Sequence, residues 1–228
     1  MIKFQSLDLQ PDLSGGLYIP QYDTLLVADL HFEKGSSLAR FGVIIPPFDT
    51  RSTLEALQMV VHRYNPKTLI SLGDSFHDRD APERLSVDDR AMIFEISTQT
   101  NMLWITGNHD PELPDDLPGS VASQITLGPL VLRHEPSLTI NDETGGKASG
   151  EICGHLHPAA IVRQRGRTIR RRCFAGNAQR LFMPAFGAYT GGLNVTSAPY
   201  APYWNNGPFD AWMIGKSAIH KFASSKLR

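Results

Sequence analysis

Five short apolar runs punctuate the chain, and each stops at a polar side chain able to bind a metal ion. They are TLLVADLH from residue 24, TLISLGD from 68, MLWITGNHD from 102, LVLRHEP from 130 and EICGHLHP from 151. Runs this short and this continuous fit strands buried on both faces, the signature of a parallel sheet covered by other layers. Between the first two, PPFDTRSTLEALQMVVHRY carries Leu54, Leu57, Val60, Val61 and Tyr64 at helical spacing, with Asp49 or Thr50 as the expected N-cap. Between the second and third, SVDDRAMIFEIS opens with Ser86 three residues before Asp89, a capping-box spacing. Strand and helix therefore alternate, which is an α/β order.

After about residue 120 the helical period fades. AAIVRQRGRTIRRRCF from 159 and FDAWMIGKSAIHKF from 209 read as paired short strands. TGGKASG, 144–150, reads as a surface loop. No linker interrupts the pattern, so residues 1–228 are expected to form a single domain. A hydrophobic fraction of 41% with 20% charged residues is ordinary for a globular chain, and a net charge of -1 means that any polyanion site is local. The two cysteines, Cys153 and Cys173, form no disulfide framework or zinc ribbon, which fits a reducing compartment. No stretch reaches the roughly twenty apolar residues of a membrane span, and the first residues lack a signal-peptide pattern. A cytoplasmic location without membrane association is the expectation.

Ligands in open α/β sheets bind beyond the carboxyl ends of the strands. Asp29 and His31, Asp74, Asn108 and His109, His134, and His155 and His157 would all reach that rim. In extended backbone, residues two apart share a face, so His155 and His157 are expected side by side. Imidazole, carboxylate and amide oxygen in these numbers suit a two-metal centre bridged by a carboxylate. His62 and His220 read as ordinary surface or core histidines.

The order DLH, GDSFHD, GNHD, a lone His134 and GHLH resembles the five-part signature of calcineurin-like metallophosphoesterases. That resemblance implies a four-layer αββα sandwich, in which two mainly β sheets are flanked by helices. It assigns Asp29, His31 and His157 to one metal, Asn108, His134 and His155 to the other, and Asp74 to both. It makes His109 the catalytic histidine, which stabilises the transition state or protonates the leaving oxygen. Two divalent ions are implied, manganese above iron or zinc. About 3.5 to 4 Å apart, they would acidify a shared water for in-line attack on phosphorus.

Family members often have an acid three positions after the bridging aspartate to orient the catalytic histidine; here that position is His77, with Asp78 following, and both stand as candidates. TLLVADLHFEKGSSLARFG, PPFDTR, LISLGDSFHD, GHLHPAA, RRRCF and MPAFGAYTGGLNV look like the bacterial ligase-associated DNA damage response endonuclease group. This resemblance implies a phosphodiester substrate, with DNA foremost, and functional association with DNA ligase and helicase. The alternatives are hydrolysis of small nucleotide-like phosphoesters and a non-catalytic scaffold for a ligase or helicase.

Lys34, Arg40, Arg51 and His77 are further candidates for holding substrate. RQRGRTIRRR, 163–172, places six arginines in ten residues, either contacting phosphates or forming a solvated hairpin balanced by nearby acids. FGAYTGGLNV, 186–195, either stacks a base or bends closely against the core.

Overall fold

A computed structural model describes residues 1–140 and 148–228. Residues 144–147 of the expected surface loop lie outside the described residues.

The first sheet contains β1 (Ile2–Phe4), β2 (Leu7–Pro11), β3 (Leu17–Ile19), β4 (Thr24–Val27), β5 (Thr68–Leu72), β6 (Asn101–Ile105) and β7 (Ser120–Ala122), in that spatial order. From β1 to β4 the pairing is antiparallel; from β4 to β7 it is parallel. The second sheet holds β8 (Gln124–Leu127), β9 (Leu130–Arg133), β10 (Gly150–Cys153), β11 (Pro158–Gln164), β12 (Arg167–Gly176), β13 (Arg180–Phe182), β14 (Leu193–Asn194), β15 (Asp210–Ile214) and β16 (Ile219–Ala223). Its order is β14-β11-β12-β13-β10-β9-β8, and the β15–β16 hairpin joins through β12. The five apolar runs are the parallel strands β4, β5 and β6 of one sheet and the parallel pair β9 and β10 of the other.

Three N-terminal strands add to the expected pattern. Their signal is a period of two: Ile2 and Phe4, then Leu7 and Leu9, are buried and alternate with polar residues. These side chains pack with Leu26, Ile70, Leu72 and Ile105 of the first sheet and with Leu132, Ile152, Phe174 and Leu181 of the second, forming an intersheet core. The opposite face of the first sheet, through Leu25, Val27 and Leu69, meets helices α2 (Asp49–Tyr64) and α4 (Val87–Gln99). Helices α1 (Lys34–Arg40) and α3 (Ala81–Arg84) are short and lie close to each other and to the loop after β5.

The fourth layer, over the second sheet, is thin. It consists of α5 (Ala201–Trp204) and an aromatic stack in which Tyr200, Trp204 and Phe209 follow one another, with ring centroids 5.7 and 4.2 Å apart. Four residues of helix suffice because the aromatic rings supply the apolar cover themselves. No described helix is long and apolar enough to cross a membrane.

Ser86 caps α4 as its spacing predicts, accepting the Asp89 backbone N–H at 3.0 Å. The expectation for α2 is corrected. Its N-cap is Phe48, without a side-chain bond, and Asp49 already lies inside the helix. The Asp49 carboxylate accepts the Gly35 N–H at 2.9 Å, at the start of α1, so a tertiary partner has taken the group that the local pattern assigned to capping.

Candidate metal centre

All five apolar strands end at one rim, because β4, β5 and β6 run parallel and β9 and β10 run parallel beside them. Beyond the strand ends the chain turns sharply. Asp29, His31, Asp74, His155 and His157 all have φ between 45° and 69°, in the left-handed region. Asp and His visit it more readily than most residues, yet each such residue costs about 1–2 kcal/mol. A cluster of them at one place marks a functional rim. Bonds between the two turns hold them: Asp29 N–H to Gly73 O at 3.1 Å, His31 N–H to Asp74 O at 2.9 Å and Phe32 N–H to Ser75 O at 2.8 Å.

These turns bring together two groups of donors. Asp29, His31 and His157 form one, and Asp74, His134 and His155 the other, each with ligand atoms within 4.8 Å of one another. In the first, His157 Nε2 lies 3.2 Å from Asp29 Oδ1 and 3.3 Å from His31 Nε2. In the second, Asn108 Oδ1 stands 3.1 Å from His134 Nε2 and 2.9 Å from His155 Nδ1. Asp74 faces both: its Oδ2 is 3.3 Å from His134 Nε2 and 3.9 Å from His31 Nε2. Imidazole, carboxylate and amide oxygen with no thiol fit hard or borderline divalent cations. Cys153 is buried in the core cluster beneath α5.

The side-by-side expectation for His155 and His157 is corrected. β10 ends at Cys153, and two left-handed residues send the rings to different donor groups.

Surrounding bonds fix which ring nitrogen faces inward. A carbonyl can only accept, so His134 donates Nδ1–H to Leu72 O at 2.9 Å, leaving Nε2 toward the cluster. His31 Nδ1 meets His77 Nδ1 at 3.2 Å, and His31 Nε2 points to Asp74 and His157. His109 donates Nδ1–H to the His77 carbonyl at 2.6 Å, so its Nε2 faces the rim, 3.9 Å from Asp74 Oδ2. The backbone of His77 thus orients His109. Asp78 turns away to Arg84, 2.7 Å distant.

Charge at the centre follows from burial. Burial pushes His31 down to about 2 and His77 to about 4, and lowers His155. Burial alone would raise Asp74, but the hydrogen bond and charge of His134, with help from the His109 N–H, hold it at about 2.

Asp110, the last residue of GNHD, has a role that the sequence reading missed. It is buried, and its carboxylate accepts four backbone N–H groups: Asp74 at 3.1 Å, Ser75 at 2.7 Å, Phe76 at 3.1 Å and Gly107 at 2.9 Å. One side chain therefore ties the loop of Asp74 to the loop of Asn108 and His109. Burial raises it to about 6 in spite of those donors. The available signal was an acid directly after two site residues in a segment with no helix to cap.

Of the four substrate candidates, Lys34 and His77 stand at the cluster; the Lys34 charge is felt at both His31 and His77. Arg40 and Arg51 are engaged elsewhere, with Asp80 at 3.0 Å and Asp89 at 2.6 Å. His62 and His220 are exposed on the surface. In the FGAYTGGLNV segment Phe186, Gly187 and Val195 are packed into the core, while Tyr189, Gly191 and Leu193 between them are exposed. Phe186 and Gly187 donate to Ala28 O and Asp29 O, and a Cβ on Gly187 would fall 2.0 Å from Leu30 O.

The calcineurin-like phosphoesterase family profile matches residues 22–157. No curated protein sequence matches the chain. Among solved structures, the Pseudomonas putida nuclease MPE is similar at 27% identity and a TM-score of 0.71, over 97% of this chain and 98% of that one. Yfce, a phosphoesterase from E. coli, matches at 14% identity and a TM-score of 0.42, over 87% and 97%. Vps29 from Entamoeba histolytica, in complex with zinc, matches at 12% and 0.36, over 88% and 97%.

Proposed function

The chain belongs to the calcineurin-like phosphoesterase family, whose members are metal-dependent hydrolases, and from that premise we propose that it cleaves phosphodiester bonds in nucleic acid, with DNA as the substrate and an internal bond as the target. The observation that carries this reading is Asp74 Oδ2 set between His31 and His134, where one carboxylate oxygen serves two donor groups. Asp29, His31 and His157 would hold one divalent cation, Asn108, His134 and His155 the other, and Asp74 both. Bound there, the cations supply Lewis acidity and a water of lowered pKa; the mixed nitrogen and oxygen donors suit manganese.

The chain's own groups do the rest. Left-handed turns and the Asp110 clamp fix ligand positions before any substrate arrives. His109, more exposed than His31 or His134, keeps Nε2 free toward the rim because Nδ1 is committed to His77 O. As the imidazolium, with Nε2 protonated as well, it is placed to give that proton to the leaving oxygen of the ester, a contribution typically worth about 10²- to 10⁴-fold in rate. The nuclease half of the proposal is supported by the likeness to the Pseudomonas putida nuclease along nearly the full chain.

The test is a metal analysis of purified protein, followed by assays on bis-p-nitrophenyl phosphate, p-nitrophenyl phosphate and plasmid DNA. The expected outcome is two metal equivalents, cleavage of the diester and nicking of the plasmid. His109→Ala should lose about 10²- to 10⁴-fold in kcat while keeping its metal. Cleavage of small esters alone would overturn the nuclease half.

A further inference from the structure

From Ile152 to Phe209 the chain has no acidic residue but seven arginines, six of them on the β11–β12 hairpin. In a protein of net charge -1 this is a marked segregation of charge. Among the described residues, no acid lies within ion-pair distance of an arginine on the hairpin. The arginines that form ion pairs among the described residues are Arg40, Arg51, Arg63, Arg84, Arg90, Arg133 and Arg180, none of them on the hairpin.

The hairpin grows directly out of the metal centre. β11 begins at Pro158, the residue after His157, and β12 returns antiparallel through a tight turn at Arg165 and Gly166, both at positive φ. Register pairs Ile161 with Arg170 and Arg163 with Thr168, so Arg163 and Arg170 share one face. Arg170 donates to Gly192 O, and the next residue, Leu193, bonds His157 O at 3.0 Å, which fixes the inner end of the row at the rim. Arg172 is held structurally, donating to Ala185 O and Ser14 O at 3.0 Å each. At the outer end Arg163, on that face, and Arg165, in the turn, are exposed, while Arg167 pairs with Gln164 on the opposite face.

We propose that this hairpin is a binding site for the phosphate backbone of a nucleic-acid strand, separate from the metal centre and set so that the same strand reaches both. Arginine suits the task, since its planar fork pairs with two phosphate oxygens at once. Seven residues of strand at about 3.3 Å each put the hairpin tip roughly 23 Å from His157. At about 3.4 Å per base step, a duplex strand covers that distance in about seven nucleotides, an extended single strand in fewer. A mononucleotide or a small diester touches only the metal centre. The site therefore imposes a minimum length on good substrates, an inference that rests on the phosphodiesterase reading.

The test separates the two. Binding of a fluorescent single-stranded DNA of roughly 30 nucleotides is measured in EDTA, where no cleavage occurs, across a range of salt. Arg163→Gln/Arg165→Gln should bind at least about fivefold more weakly near physiological salt, and its log Kd against log salt slope should fall by about 1. Its kcat/KM on bis-p-nitrophenyl phosphate with metal should equal that of the unaltered protein. The same two positions changed to Lys keep their charge and should keep most of the slope. Equal binding by the Gln variant, an equal loss per charge from Lys3→Gln/Lys67→Gln, or no DNA binding at all would overturn the site. Hairpin-dependent binding without cleavage of any ester would leave it standing and overturn the phosphodiesterase reading instead.

Discussion

His134 differs from its neighbours in the charge that its surroundings favour. Burial lowers His31 to about 2 and His77 to about 4, so each of these rings keeps a free lone pair over about pH 5 to 8, and burial lowers His155 in the same direction. Burial also disfavours a charge on His134, but the hydrogen bond to Asp74 and the carboxylates of Asp29 and Asp74 outweigh it and raise the ring to about 9. A raised pKa stabilises the metal-free fold fully below the ordinary value of 6.5, and that contribution is lost as pH rises through about 9. Because Nδ1 is given to Leu72, a cation arriving at Nε2 must displace that proton. Cation binding at neutral pH is therefore expected to release a proton, and apparent affinity to rise with pH until about 9. Calorimetry in two buffers of different ionisation enthalpy reads the release; identical heats would contradict it.

At the scale of elements, the loops carry the demanding geometry and the helices the ordinary one. The α4 cap was legible because Ser86 and Asp89 bond within one turn. The α2 cap was not, since Asp49 finds its partner in Gly35, fourteen residues away in sequence. The loop after β6 shows why its motif needs glycine: a Cβ on Gly107 would lie 2.2 Å from Asp74 Oδ1 and 2.4 Å from the Asp74 nitrogen. Gly107→Ala must push the Asp74 carboxylate aside, and overpacking of this kind costs about 1–3 kcal/mol. Urea denaturation should show that loss, and bis-p-nitrophenyl phosphate turnover should fall with it. Full activity with unchanged stability would mean that the loop yields freely.

The whole molecule stands on an intersheet core that draws on residues from Ile2 to Ile214 and includes none of the metal-capable side chains. Chelation should therefore leave far-UV circular dichroism unchanged while lowering Tm, because a ligand present at 100 times its Kd contributes about 2.7 kcal/mol. Loss of secondary structure on adding EDTA at room temperature would show the metal to be part of the fold. The sequence by itself determined the apolar strand runs, their order, the chemical types at their ends and the Ser86 cap, because each is written within a few neighbouring residues as period, spacing or side-chain chemistry. Only the tertiary structure decided that left-handed turns, not a shared strand face, aim His155 and His157, that His77 holds His109 through a backbone carbonyl, and that Asp110 clamps two loops. These arrangements depend on left-handed turns and on contacts such as Asp29 with the His155 N–H, 126 residues apart, which exist once the two sheets pack face to face.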